Sequence, residues 1–234
     1  MEAIVLAGGM GTRLKSVVSE IPKPMAPVGD KPFLAFLLEW LSDSGVATVV
    51  LSVGYKWEVI RDHFGVQYRG MSLKYAVEDK PLGTGGAVAL ALRETTERSL
   101  LVVNGDTAFP VDLAELLRTH AESGAGATLA LKEMTDFDRY GTIDLSDSGS
   151  VNAFREKAPC AKGLINGGIY AMDRAFLERR GLPERFSLEQ DVFEKEAGKG
   201  ALRGVVFGAP FLDIGIPEDY AKAAEFLRTV GLAS

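Results

Sequence analysis

Three groups of side chains in this 234-residue sequence are spaced so that they could handle phosphate. The first is the loop Gly8-Gly9-Met10-Gly11-Thr12-Arg13, directly after the apolar run Glu2 to Ala7. Three glycines in four positions let a backbone come close to a ligand and turn its amides inward. A short helix behind the loop would aim its positive end at the same place, and Arg13 can hold phosphate oxygens through two parallel hydrogen bonds. An ordinary tight turn between strand and helix would also explain the glycines. The second group is Pro22-Lys23-Pro24, a lysine whose backbone is restricted by two prolines. The third is a pair of aspartates, Asp106 in Asn104-Gly105-Asp106 and Asp213 in Leu212-Asp213-Ile214-Gly215, each after apolar residues and near a glycine. Mg²⁺ usually takes one or two carboxylates plus substrate phosphates, so both aspartates suit it. A turn or a helix cap is the plainer explanation of each.

These residues need elements to hold them. Glu2 to Ala7, Ala47 to Val53, Ser72 to Val77 and Leu100 to Asn104 read as buried strands. Between them lie helical patterns. Phe33, Leu34, Leu37, Leu38 and Leu41 recur at intervals of three and four after Pro32, with Gly45 as the stop. Trp57 to Phe64, Ala87 to Arg93 and Asp112 to His120 follow. Strand and helix in alternation imply an α/β fold, a parallel sheet with helices on both faces. Ligands of such sheets bind outside the carboxyl ends of the strands. The glycine-rich loop, Gly54-Tyr55, the segment Glu78 to Gly86 and Asn104-Gly105-Asp106 all fall there, which puts four loops on one edge. After about residue 125 the rhythm changes. Ala127 to Lys132, Thr142 to Leu145, Val151 to Glu156 and Leu164 to Met172 read as antiparallel strands that extend the sheet. Ser187-Leu188-Glu189-Gln190 is a capping-box pattern, and Pro217-Glu218-Asp219 opens the last helix. No repeat or linker divides the chain, so 1–234 reads as one domain.

Composition narrows the function. A formal net charge of −6 argues against a nucleic-acid binder, which would show a basic face. One cysteine, Cys160, excludes an internal disulfide framework and a cysteine-based zinc cluster. His63 and His120 leave little room for histidine ligands or triads, and His120 reads as a structural residue at the end of a surface helix. The apolar start is too short for a signal segment, and no run approaches the roughly 20 apolar residues of a spanning helix, so a soluble, cytoplasmic protein away from membranes is expected. Tyr55, Trp57 and Phe64 leave a homo-oligomer open. Two rival phosphate motifs fail. No Gly-Lys-Ser/Thr ending is present, and the third glycine of a dinucleotide fingerprint is replaced by Leu14.

Leu6-Ala7-Gly8-Gly9-Met10-Gly11-Thr12-Arg13, followed by Pro22-Lys23-Pro24, resembles the signature of the sugar-1-phosphate nucleotidylyltransferases. Asn104-Gly105-Asp106 is similar to that family's metal-binding turn, and Leu212-Asp213-Ile214-Gly215 to its second metal aspartate. Phe154-Arg155-Glu156-Lys157 resembles its sugar-phosphate motif, with Ala158 in place of the usual proline. Within the family, four segments are similar to the branch that makes GDP-heptose from D-glycero-α-D-manno-heptose 1-phosphate. These are Lys80 to Gly86, Phe137 to Thr142, Leu164 to Tyr170 and Phe211 to Tyr220. Uridylyltransferases for N-acetylmuramate 1-phosphate share the short length and the first-half motifs.

The resemblance implies a Rossmann-like fold in which the first 125 residues or so hold the nucleotide and the rest holds the sugar phosphate. It implies a Mg²⁺-dependent reaction of a nucleoside triphosphate with a sugar 1-phosphate. Leu6, Ala7, Gly8, Gly9, Gly11, Thr12, Gly83, Thr84 and Asn104 would line the nucleotide. Arg13 and Lys23 would be catalytic, and Asp106 and Asp213 would hold the metal. Tyr140, Gly141, Glu156, Lys157 and Asn166 would meet the sugar phosphate. Glu78 bears on the base: guanine offers two adjacent N–H donors to a carboxylate and uracil offers one, which favours GTP. A catalytically silent sensor is the rival class, but such a copy is expected to lose one of the charged residues kept here.

Overall fold

A computed structural model describes residues 1–9 and 21–232 of the chain. Gly11, Thr12 and Arg13 lie outside the described residues. In chain order the first half holds β1 (Glu2–Leu6), β2 (Pro27–Val28), β3 (Lys31–Pro32), α1 (Phe33–Asp43), β4 (Thr48–Val53), α2 (Trp57–Phe64), β5 (Gln67–Tyr68), β6 (Met71–Val77), α3 (Gly83–Ala91) and β7 (Ser99–Asn104). Strands β7, β1, β4 and β6 lie side by side and parallel. The register puts Leu6 beside both Ser52 and Asn104, and Val53 beside Val77, so the four carboxyl ends share one edge.

Side-chain alternation explains why both faces are covered. Ala3 and Val5 point into one core with Leu34, Leu38 and Leu41 of α1 and Ile60 of α2. Ile4, Val50 and Val102 point into the other with Val88 and Ala91 of α3. Eight of the eleven residues of α1 are buried, and each fully buried leucine contributes about 1.5–3 kcal/mol. Phe64 belongs to this core and Trp57 packs beside Tyr75, so of the three aromatics left open for an interface, Tyr55 is the exposed one.

The second half holds β8 (Thr107–Ala108), α4 (Leu113–Ser123), β9 (Ala127–Phe137), β10 (Thr142–Leu145), β11 (Val151–Arg155), β12 (Cys160–Asp173), α5 (Arg174–Glu178), a π-helix (Leu188–Phe193), α6 (Glu194–Glu196), β13 (Leu202–Phe207), β14 (Leu212–Asp213), α7 (Pro217–Tyr220) and α8 (Ala223–Thr229). The long β12 joins the halves. It runs antiparallel to β7 on one side and to β9 on the other, so among the described residues the main sheet has ten strands. Antiparallel pairing also adds β10 and β11, while β13 returns parallel to β9.

Three expectations need correction. Helix α3 begins at Gly83, not Ala87, because Gly85 and Gly86 serve close packing rather than a loop. Their amides donate to Phe186 O at 3.0 and 3.3 Å, and a Cβ on Gly85 would overlap the Phe186 ring. The capping box is completed differently: Ser187 Oγ accepts from Gln190 N, but Asp191, not Gln190, accepts from Ser187 N at 2.9 Å. His120 does stand in the last turn of α4, as expected, but on its buried face rather than at the surface. Its Nδ1 lies 3.0 Å from Thr128 Oγ1 and its Nε2 3.5 Å from Asp173.

Burial holds the His120 imidazole below its ordinary pKa, although Asp173 pulls the other way. In the unfolded chain the ring titrates near about 6.5. Between that value and the lower folded one the unfolded chain binds more protons, so stability falls as pH drops. Denaturation midpoints are therefore expected to fall between about pH 7 and pH 5.5, and His120→Gln to flatten that slope. Parallel slopes in the two proteins would contradict it. The Asp173 carboxyl is held below its usual range, where the Ser99 hydroxyl and the charge of His120 outweigh burial. Its contribution is lost only at more acid pH.

Candidate active site

Lys23 opens a 3-10 turn, Lys23–Met25, which buries Pro24 and Met25 beneath it. Ala26 N donates to Lys23 O at 3.0 Å, so the lysine backbone is fixed by a hydrogen bond as well as by its prolines. Its ammonium donates to Asp106 Oδ2 at 2.5 Å and lies 3.9 Å from Asp213 Oδ1. The two aspartates are 107 positions apart, and a short ribbon brings them together. Strands β8 and β14 pair antiparallel with Thr107 opposite Asp213, and Ile214 N donates to Asp106 O at 3.0 Å. Gly105 seats this turn against β1: its amide donates to Leu6 O at 3.0 Å. Asp213 Oδ1 accepts from Gly215 N at 2.6 Å, which orients the second carboxylate.

Two cavities meet here. One, of about 720 Å³, lies over the parallel edge and is lined by Leu6, Gly8, Gly9, Lys23, Glu78 and Asp106 among others. Gly83, Thr84 and Asn104 complete that wall. Gly8 is glycine for room, since a Cβ there would stand 3.0 Å from Glu78 Oε1. Glu78 is partly engaged: Oε2 accepts from Leu82 N at 2.9 Å and Oε1 from Ser52 Oγ at 3.4 Å. A carboxylate offers about four acceptor positions, so further donors can reach it. The second cavity, of about 690 Å³, is lined by Tyr140, Gly141, Lys157, Asn166 and Asp213. Thr84 and Asn104 border both. Each volume suits a small-molecule site.

The second cavity is shaped by a bulge in β12. The register with β9 shifts between Asn166 and Tyr170, and Gly168 adopts φ +72 within that stretch. Asn166 Oδ1 accepts from Gly168 N at 3.0 Å, and its Nδ2 donates to the Tyr170 hydroxyl at 2.8 Å. Burial, then the nearby Asp213 charge, pushes the Tyr140 hydroxyl up to about 12, so it remains a protonated donor.

Two sequence-based assignments fall elsewhere. The Ala7 side chain is core, and its amide donates to Ser52 O at 2.8 Å, so it does not line the cleft. Glu156 is exposed and lies outside both cavity walls, because β11 ends at Arg155 and releases it to solvent. Arg139, Tyr170 and Glu189 line the second cavity and were not anticipated. Arg139 immediately precedes Tyr140-Gly141, a signal that was present. It bonds Asp219 and lies 5.5 Å from the Tyr140 ring centroid.

The donors at the junction fit a magnesium ion. Asp106 and Asp213 present hard oxygens, and each remains about one-third exposed. Among the described residues no group of three His, Cys, Asp or Glu gathers. With two carboxylates, water and phosphate oxygens would complete the ligand set, the arrangement Mg²⁺ favours over an all-protein cage.

Two cavities that meet at one lysine and two carboxylates suit the joining of two anionic substrates, and the parallel edge is where a nucleotide-dependent transferase of α/β fold would hold its nucleotide. The chain belongs to the nucleotidyl transferase family, whose model matches residues 2–230. It is 50% identical over 228 residues to the D-glycero-α-D-manno-heptose 1-phosphate guanylyltransferase of Aneurinibacillus thermoaerophilus, covering 97% of this chain and 99% of that protein. The Campylobacter jejuni protein of the same description is 44% identical, covering 94% of this chain and 97% of its own length. Among solved structures, HddC from Yersinia pseudotuberculosis complexed with GMP-PN superposes with a TM-score of 0.85 at 37% identity, covering 96% of this chain and 98% of that one.

Proposed function

We propose that this protein transfers a guanylyl group from GTP to D-glycero-α-D-manno-heptose 1-phosphate, giving GDP-heptose and pyrophosphate. The observation that carries this reading is the Lys23–Asp106–Asp213 cluster at the meeting of two cavities. Near-full-length identity to two heptose 1-phosphate guanylyltransferases supports the choice of sugar. The GMP-PN complex of the Yersinia relative favours a guanine nucleotide.

A phosphate oxygen of the sugar phosphate attacks the α-phosphorus of GTP. The bond from that phosphorus to the bridging oxygen breaks, and pyrophosphate leaves with the electron pair. No protein nucleophile is needed, because positioning and charge stabilisation carry such transfers. Lys23 offsets the charge that repels the two anions, and Lys157 draws the sugar phosphate into the second cavity. Asp106 and Asp213 would hold Mg²⁺, which supplies charge neutralisation at the phosphate oxygens when bound. Gly8 and Gly9 bring backbone amides to the triphosphate. The roles of Gly11 and Thr12 in that cradle, and of Arg13 at the departing pyrophosphate, rest on the family resemblance. A cytoplasmic setting fits a nucleotide-consuming enzyme, and among the described residues no helix is long and apolar enough to cross a membrane.

Pyrophosphate release over a panel of nucleotides and sugar phosphates, with millimolar Mg²⁺, tests the reading. Release should be fastest with GTP and the heptose phosphate. Silence with every pair would favour a sensor, and release only with UTP and N-acetylmuramate 1-phosphate would retire the heptose assignment.

Base choice has its own test. In this reading Glu78 accepts from guanine N1–H and N2–H, and inosine triphosphate lacks the second donor. Wild type should prefer GTP over ITP in kcat/KM by roughly 10–100-fold, the worth of one charge-assisted hydrogen bond. Glu78→Gln should bring that ratio close to one. Equal losses for GTP and ITP would mean that Glu78 only caps the Leu82 turn.

A further inference from the structure

Glu189 has no part in the chemistry above, yet its carboxylate lines the second cavity. It stands in the first turn of the π-helix Leu188–Phe193, a rare form concentrated at functional sites. Its two oxygens are used unequally. Oε2 accepts from Thr84 Oγ1 at 2.6 Å and from Ser187 Oγ at 3.0 Å. Oε1 meets the Tyr170 hydroxyl at 3.5 Å, a long contact for an O–H donor. The direction of that contact is set, because Asn166 Nδ2 already donates to the Tyr170 oxygen, so the Tyr170 proton faces Glu189. Oε1 therefore keeps acceptor capacity, while Oε2 is anchored to helix α3 through Thr84.

The charge of Glu189 selects what it can receive. A carboxylate rejects a phosphate, which belongs near Lys157 and Arg139 on the same cavity. It accepts from a neutral donor, and a sugar supplies hydroxyls. We propose that Glu189 is a sugar-recognition residue whose Oε1 accepts a hydrogen bond from one hydroxyl of the sugar 1-phosphate. This rests on the transferase reading above. Hydrogen bonds to a charged partner are the stronger ones. A site built to bond a particular hydroxyl discriminates against analogues lacking it, because that hydrogen bond is lost. Glu189 thus separates sugars by hydroxyl pattern, and Thr84 ties its position to the nucleotide cleft.

The test is steady-state kinetics of the full chain with GTP, heptose 1-phosphate and a set of its monodeoxy analogues. Glu189→Gln keeps the shape and removes the charge. It should raise KM for the sugar phosphate about tenfold or more, with KM for GTP unchanged. For one deoxy analogue, wild type and variant should have the same kcat/KM, because the partner hydroxyl is missing; for the others the gap should persist. An unchanged KM for the sugar phosphate, a gap of the same size for every analogue, or a matching rise in KM for GTP would each overturn the proposal. Should Glu189→Gln fail to melt cooperatively, Glu189→Asp retains the charge, shortens the reach, and is read by the same criteria. A folded wild type that turns over neither substrate overturns the transferase reading and this proposal with it. Wild-type turnover with an indifferent variant overturns the proposal alone.

Discussion

Asp106→Asn is expected to lower turnover by about two to three orders of magnitude while the protein remains folded. The carboxylate faces the two charges that matter at this edge, the Lys23 ammonium at 2.5 Å and the proposed metal. The carboxamide keeps its size and its place after Gly105, so β7, β8 and the Leu6–Gly105 hydrogen bond are undisturbed. What is lost is a formal negative charge that orients Lys23 and would anchor Mg²⁺. Charge stabilisation of phosphoryl oxygens by a metal is worth several kcal/mol, and each 1.36 kcal/mol is about a factor of ten in rate. Asp213, 3.9 Å from Lys23, keeps part of the cluster and makes complete loss unnecessary. Pyrophosphate release at saturating substrates, with a thermal melt of the same sample, checks it. A wild-type rate would remove Asp106 from the mechanism.

Gly105→Ala should damage both stability and activity. A Cβ at Gly105 would stand 2.6 Å from Leu6 O and 3.2 Å from Leu6 C, and these are backbone atoms of the central strand that cannot swing aside. Overpacking of this kind costs about 1–3 kcal/mol. For a chain of this size that lowers the melting midpoint by roughly 2–12 °C. Relief of the clash would move the turn carrying Asp106, and a misplacement of about 1 Å can cost about a hundredfold in rate. Gly208→Ala is the control: no atom lies within 4 Å of its Cβ position and its φ is not positive. Both variants should be purified and melted side by side. Equal midpoints would show that β1 and the Asp106 turn have slack the packing does not reveal.

Patterns of apolar spacing made the parallel half legible. Trp57–Phe64 has the expected limits, and the edge gathering Gly8, Glu78 and Asp106 follows from strand order alone. Glycine was the main source of error. Gly83 to Gly86 suggests a loop because glycine favours turns, yet Gly85 and Gly86 are needed where a helix backbone touches Phe186 and Glu184. Long-range pairing was invisible to local reasoning. Nothing near Asp106 says that Asp213 will lie beside it; the β8–β14 ribbon makes that contact. Glu189 was hidden for another reason. Ser187-Leu188-Glu189-Gln190 reads as a helix cap, and it is one, since Ser187 Oγ accepts from Gln190 N at 3.2 Å. Spacing says nothing about a residue in that turn whose carboxylate reaches the cavity wall. Glu156 is the reverse case: it lies in a matching motif, but the strand has already ended there and its side chain is exposed.

A crystal structure of the wild-type protein holding a non-hydrolysable GTP analogue, Mg²⁺ and the sugar 1-phosphate together is the most direct test. The α-phosphorus should sit at the junction of the two cavities, beside Lys23, Asp106 and Asp213. A sugar-phosphate oxygen should lie roughly 3–3.5 Å from it, in line with the bond to pyrophosphate. A triphosphate bound away from Lys23, or a sugar phosphate outside the cavity of Tyr140 and Lys157, would contradict the mechanism.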